Sequence, residues 1–267
     1  MMELLSQASA WDAVAIDYDR VNRQFMLEFS RSALKSISLQ ANWRVLDVAC
    51  GPGTTSLYLS EFVDQVDAVD FSPKMIQVLK RNIKAEHIDN IFPMEANGQD
   101  LPFDESRFDL VVSMFGLMFF PERLQGLREI YRVLKPGAPV VLSSWALAEK
   151  SSFMQTLGAA FAFFHDEEAT GGAFPWSETA DIKSDLDQVG FNSVQIEEVY
   201  HEFEVGPIDR FWANIVKGSA PLVDRKQRMT PEEWGGCENR ALEYLKSHLH
   251  EESVLGTTAW IITAHRD

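Results

Sequence analysis

The stretch Trp43-Arg44-Val45-Leu46-Asp47-Val48-Ala49-Cys50-Gly51-Pro52-Gly53-Thr54-Thr55, with Gln65-Val66-Asp67-Ala68-Val69-Asp70 after it, decides the fold. Val45 and Leu46 supply the apolar run of a strand, and Gly51 and Gly53 permit a tight turn whose backbone can meet a ligand without Cβ interference. Thr54-Thr55 then opens a helix, whose free N–H groups and positive dipole end favour an anionic group just beyond the turn. Asp70 ends the second strand about where doubly wound folds place a carboxylate on the ribose hydroxyls of a nucleoside.

Outward from this stretch, strand and helix signals alternate from Trp43 to Trp145. Ser72-Pro73 is an N-cap followed by proline at the first helical position, opening a helix to about Ala85. Strands are expected over Ile91–Ala96, Phe108–Met114 and Ala138–Trp145, with a helix from Glu122 to Leu134 closed by Lys135-Pro136-Gly137. Ahead of Trp43, apolar side chains at helical spacing predict one or two leading helices. Beyond Trp145, helices are expected over Phe153–His165, 178–190, Phe211–Val216 and Pro231–Leu249, and strands over Val194–Phe203 and Thr258–Ala264. The fold class is α/β: a doubly wound, mostly parallel seven-stranded sheet, ligands lying at the carboxyl ends of its strands. Residues 147–177 and 206–253 are aromatic-rich insertions expected to form a helical lid over those ends.

Composition narrows the function classes. Lysine and arginine number 24 against 40 acidic residues, and a net charge of −16 repels phosphate backbones and anionic lipid surfaces. Nucleic acid is therefore not an expected partner. Cys50 and Cys237, far apart in the chain, fit a reducing compartment, and the cytoplasm is the expected location. No basic leader with an apolar stretch opens the sequence, and the longest apolar run, Leu110 to Phe120, is about half the ~20 residues of a membrane span. No cysteine or histidine cluster has metal-ligand spacing, so no metal is expected.

Two nucleoside cofactors make similar demands on a glycine turn, a helix N-terminus and a ribose carboxylate. Ser56 stands where a dinucleotide site has its third glycine, and Asp47 would sit badly beside a pyrophosphate. An ammonium welcomes that carboxylate, which favours S-adenosylmethionine. Tyr131 and Lys135 have the spacing of a short-chain dehydrogenase pair, but Pro136 ends the helix at once, so Tyr131 is read as sheet packing and Lys135 as a helix-end cation.

With these residues assembled, the chain resembles the class I S-adenosylmethionine-dependent methyltransferases, in the branch containing the ubiquinone and menaquinone biosynthesis enzymes. Val45 to Thr54 matches the first motif, with Ala49 in place of its usual first glycine; Asp70 to Met75 matches the second, Asn97 to Phe103 the adenine segment, and Arg132 to Gly137 the turn before the fifth strand. The resemblance implies a Rossmann-like methyltransferase fold over 1–267 with a cofactor core at 43–146. It implies that the backbone of Ala49, Gly51 and their neighbours, Gly53 included, holds the methionine portion of the cofactor above Asp47. Asp70 would take the ribose hydroxyls, Phe71 and Met75 the adenine faces, Asn97 and Gly98 the adenine edge, and Tyr18 would fold over the whole. Asn97 replaces the family's aspartate.

Ser113 and Met114 end the fourth strand beside the expected sulfonium. Phe115, Met118 and Phe119 follow, and with Trp145, Phe164 and Trp176 they are the candidate substrate wall, or else core. The aromatic richness suggests a small, apolar or aromatic acceptor; alternatively a phenylalanine-laden helix is buried, or meets a second copy of the chain in a homodimer. His165, at the end of the aromatic helix, is the candidate base. The competing functions are a nicotinamide-dependent reductase and a cofactor-binding protein without turnover.

Overall fold

The computed structural model describes residues 2–164 and 174–267. Its seven strands are β1 (Arg44–Val48), β2 (Gln65–Asp70), β3 (Ile91–Glu95), β4 (Leu110–Ser113), β5 (Pro139–Trp145), β6 (Asn192–Glu204) and β7 (Val254–His265). They lie in the order β3-β2-β1-β4-β5-β7-β6. The first five pair in parallel, whereas β7 runs antiparallel to both β5 and β6. The sheet is thus mostly parallel, as the strand and helix alternation requires. Chain order reverses between β1 and its neighbours β2 and β4, which opens a crevice at the carboxyl ends of these strands.

Strand residues alternate between two cores because successive side chains point to opposite faces. Leu46, Val48, Val69, Val111 and Val140 pack with Leu127 and Ile130 of α6 (Arg123–Val133) and with Ile182 and Leu186 of α8 (Thr179–Val189). Val45, Val66, Ala68, Leu110 and Val112 pack on the other face against α3 (Ala15–Leu34), α4 (Thr54–Leu59) and α5 (Pro73–Glu86). Burial on both faces explains why the central strands read as near-continuous apolar runs.

Cap chemistry sets the element ends. The Ser72 hydroxyl accepts from the Met75 N–H at 3.1 Å and opens α5, while Gly190, left-handed at φ 102°, closes α8. Lys135 donates to Asp109 at 2.6 Å and Tyr131 packs edge-on to Phe191, at the amino ends of the strands, across the sheet from the crevice. The dehydrogenase-like pair is therefore structural.

Further helices among the described residues lie over the carboxyl ends. Short helices α1 (Met2–Leu5) and α2 (Ala8–Asp12) precede α3; α7 (Ser152–Phe161) follows β5 and runs into a 3-10 turn at Ala162–Phe164. Between β6 and β7 lie α9 (Ile208–Gly218), α10 (Ala220–Arg228) and α11 (Pro231–His248). The periodicity had not marked α10, which follows α9 after Ser219 alone. The two insertions share a hydrophobic core: Ala160 and Phe164 pack with Phe211, Trp212, Trp234 and Leu245. No helix among the described residues is long and apolar enough to cross a membrane.

Gly53 sits at φ +90°, and a Cβ there would lie 2.2 Å from Leu79 Cδ1 of α5. Gly53→Ala combines left-handed strain with overpacking, so it is expected to lower the unfolding free energy by about 2–4 kcal/mol. Urea unfolding will show this as an earlier midpoint at unchanged slope.

Candidate active site

The turn after β1 holds three left-handed residues: Ala49 at φ +57°, Gly51 at +56° and Gly53 at +90°. The two glycines serve different ends. A Cβ on Gly53 would strike Leu79, whereas one on Gly51 would meet nothing within 4 Å, because Gly51 faces an open cavity. Ala49 adopts without glycine a conformation that costs an L-residue roughly 1–2 kcal/mol, so strain is stored where the backbone meets the cavity. The loop is braced from behind: the Asn82 amide donates to the Pro52 carbonyl at 3.1 Å and to Asp19 of α3 at 3.2 Å.

Asp70 joins this turn to the next one. One carboxylate oxygen accepts the Gly51 N–H at 2.8 Å and the other the Ser72 N–H at 2.8 Å. Burial raises its pKa to about 6, against those two hydrogen bonds, which lower it, and the nearby Asp12 charge adds to the rise. Asp47, 1 % exposed beneath the loop, accepts the Ser56 hydroxyl at 2.6 Å. Burial raises its pKa to about 7, opposed by the Ser56 bond and assisted by the charge of Asp70.

Above these carboxylates lies a cavity of about 820 Å³, between the strand ends and the helices. At one end its wall comprises Tyr18, Ala49, Gly51, Asp70, Phe71, Met75, Asn97 and Gly98. Burial, and then the Asp70 charge, push the Tyr18 hydroxyl up to about 12, so it stays protonated at neutral pH. Glycine is required at 98, since a Cβ there would come within 2.5 Å of Phe120. Asn97 departs from the expected geometry: its side-chain oxygen accepts the Gln99 N–H at 2.9 Å, which turns the amide nitrogen toward other partners. The residues fit a nucleoside cofactor bearing an ammonium. Gly51 presents an open cradle, and the Asp70 carboxylate, held by backbone N–H groups, lines the cavity where it can accept from hydroxyls.

The other end is apolar and aromatic. Met114, Phe115, Phe119 and Trp145 line it, with Met154, Leu157 and Phe161 of α7, Phe174, and Ile215 of α9. Phe115, at φ +60°, stacks on Trp145 at 3.9 Å between centroids and holds its backbone N–H to the Ser143 hydroxyl at 2.9 Å. Among the described residues on the wall, Tyr18 and Asp70 are the titratable side chains.

Several expected site residues lie elsewhere. Phe164 is wedged between Trp212 and Trp234 in the core of the insertions. Trp176 is buried against α8, its indole N–H donating to Asp185 at 2.7 Å beneath the Arg123 guanidinium. Met118 is buried with Phe29, Phe115 and Trp145, behind the wall. Ser113 is buried, and its hydroxyl has no partner among the described residues. Asp47 and Gly53 support the loop from below and are not on the wall. His165 lies outside the described residues. Conversely, Trp11, Asn22 and Met26 were not foreseen, although with Tyr18 they recur at helical spacing and line the cavity. Asp12 anchors their segment by accepting from the Ser72 hydroxyl at 2.6 Å and the Lys74 N–H at 3.0 Å.

Residues 45–137 match a family described as a methyltransferase domain. The demethylmenaquinone methyltransferase of Lactiplantibacillus plantarum is 34 % identical over 139 residues, a match covering 49 % of this chain and 59 % of that enzyme. Among solved structures, the YcgJ protein of Bacillus subtilis superposes with a TM-score of 0.63 at 16 % identity, covering 91 % of this chain and 98 % of its own. Phosphoethanolamine N-methyltransferase 2 of Haemonchus contortus, solved with S-adenosyl-L-methionine, gives a TM-score of 0.58 at 15 % identity, covering 96 % of this chain and 57 % of that one. At such identities the two structures establish the fold.

Because burial raises both pKa values, between about pH 4 and about pH 7 the folded chain keeps protons that the unfolded chain has lost. The unfolded state binding fewer protons, stability of the ligand-free protein falls as pH rises through that window. Asp47→Asn should flatten the profile and raise the melting temperature at about pH 7.5 above that of the wild type. Thermal unfolding across the pH range checks this; a wild-type curve as flat as the variant's contradicts it.

Proposed function

We propose that this chain, a class I S-adenosylmethionine-dependent methyltransferase, passes its methyl group to a small apolar or aromatic acceptor held beneath helices α7 and α9. One observation carries the reading: a single cavity runs from the carboxylate-bearing strand ends to an aromatic wall. Its 820 Å³ is near the top of the roughly 300–1,000 Å³ usual for one ligand, which suits a cofactor and an acceptor side by side. The relative's name adds that an enzyme of similar sequence methylates demethylmenaquinone, a quinone.

When bound, S-adenosylmethionine supplies a methyl group already activated on a sulfonium, which a nucleophile displaces in line. The chain's residues then bind, orient and exclude water. Asp70, fixed by the Gly51 and Ser72 N–H groups, would take the ribose hydroxyls; Gly51 would admit the methionine portion, and the charge of Asp47 beneath would complement its ammonium. Phe71, Met75 and Gly98 would enclose the adenine. Phe115, Phe119 and Trp145 would hold a flat acceptor against Met114 at the end of β4. The insertions act as the lid, shutting water out through their shared core. A nicotinamide reductase is disfavoured by Asp47 under the loop and by Lys135 at the far end of the sheet.

Calorimetric titration with S-adenosylhomocysteine is expected to saturate, with no comparable heat from NADH or NADPH. Asp70→Ala should stay folded and lose about 10- to 100-fold in affinity, the worth of charge-assisted hydrogen bonds. Incubation with S-adenosylmethionine and hydroxylated aromatics should yield a product one methylene heavier. Unchanged affinity in the Asp70 variant, or binding of NADH instead, overturns the reading.

A further inference from the structure

Within the apolar part of the wall, three side chains are polar and stand together at one seam. Asn22 comes from α3, Asn214 from α9 and Ser219 from the junction of α9 with α10. Gly218, one turn after Asn214, is pressed against Asn22: a Cβ there would lie 3.2 Å from the Asn22 amide nitrogen. None of the three side chains has a hydrogen-bond partner among the described residues, and Ser219, although it is the N-cap of α10, makes no cap bond through its hydroxyl. Ser6, a further hydroxyl on the cavity wall, is already committed to the Glu3 carbonyl at 2.8 Å.

The position of the cluster gives it meaning. Tyr18, Asn22 and Met26 occupy successive turns of α3, about 6 Å apart, and all three face the cavity. Tyr18 is beside Asp70, and Met26 packs in the aromatic cluster with Phe115 and Trp145. Asn22 therefore stands at the junction between the carboxylate end and the aromatic end, where donor and acceptor must meet. The three side chains are half-buried and line the cavity without hydrogen-bond partners among the described residues, so their amides and hydroxyl can complete hydrogen bonds with a ligand that displaces water there.

We propose that Asn22, Asn214 and Ser219 are positioning residues for an oxygen function, a hydroxyl or a carbonyl, next to the reacting atom of the acceptor. The cluster is neutral and combines donors with acceptors, so it selects an uncharged oxygenated ring over a bare hydrocarbon and over a cationic or anionic head group. This rests on the proposed methyl transfer to an aromatic acceptor and names the class of that acceptor more closely.

The test uses the full chain saturated with S-adenosylhomocysteine, titrated with 1-naphthol and with naphthalene, binding being read by calorimetry and by tryptophan fluorescence. Wild type is expected to bind 1-naphthol more tightly than naphthalene. Asn214→Leu and Asn22→Leu should each weaken 1-naphthol about three- to tenfold, leave naphthalene within about twofold, and leave S-adenosylhomocysteine affinity unchanged, which also shows that the variants fold. If wild type binds the two rings equally, or the variants weaken both alike or neither, the cluster does not recognise oxygen and this inference fails while the aromatic-acceptor reading stands. If wild type binds neither ring, that reading falls and takes this one with it.

Discussion

The site turns on one carboxylate that accepts from the backbone N–H groups of two loops. By accepting from Gly51 and Ser72, Asp70 locks the loop after β1 to the loop after β2, the two turns that flank the reversal of strand order. A buried charge is costly, and two such charges, with Asp47 below, are costlier. Their pKa values of about 6 and about 7 are the sign of that cost. The surrounding structure sustains it: the sheet core fixes both strands, Asn82 braces Pro52, and Ser56 satisfies Asp47. Near neutral pH a site held so carries the charge of Asp70 and part of that of Asp47 on fixed groups, which is the preorganisation on which electrostatic binding depends.

Around this fixed centre the chain builds its roof from three segments far apart in sequence. The N-terminal segment is tied to the core by Asp12, which accepts from the N-cap hydroxyl of α5, so the cap that starts a helix also fastens Trp11 and Tyr18 over the cavity. Trp11 in turn packs edge-on to Tyr18 and tilted against Phe119. The two insertions instead hold each other. Phe164 between Trp212 and Trp234 gives them a core separate from both sheet cores.

What was legible in the sequence follows from how local each cause is. Strands buried on both faces read as apolar runs, and caps such as Ser72-Pro73 or Gly190 announce themselves within a few residues, so all seven strands and most helices could be placed. The loop residues of the carboxylate end were legible for the same reason, since Gly51 and Asp70 act through their own backbone turns. The antiparallel turn of β7 was not, because no local signal distinguishes a strand entering a sheet from either end. Nor could residue type separate wall from core: Phe164, Trp176 and Met118 are as aromatic or apolar as Phe161, Phe174 and Met114, and tertiary packing alone decides which face the cavity. Trp11 and Asn22 belong to no motif loop, and their spacing from Tyr18 at helical intervals is the one signal in the sequence that points to them.

This division of labour bears on how such a protein acquires its substrate. The carboxylate end is written into strand ends and backbone turns, where a change such as a side chain on Gly53 or Gly98 collides with Leu79 or Phe120. The aromatic end is carried by α7 and α9, whose inward residues Leu157, Phe161 and Ile215 face the cavity while their outward neighbours supply the insertions' own core. Substitution on the inward face alters the shape offered to an acceptor without touching Asp70, Asp47 or the glycine turn. Cores that do not share residues let one end of the cavity be held by strain and burial while the other can be reshaped from the insertions alone.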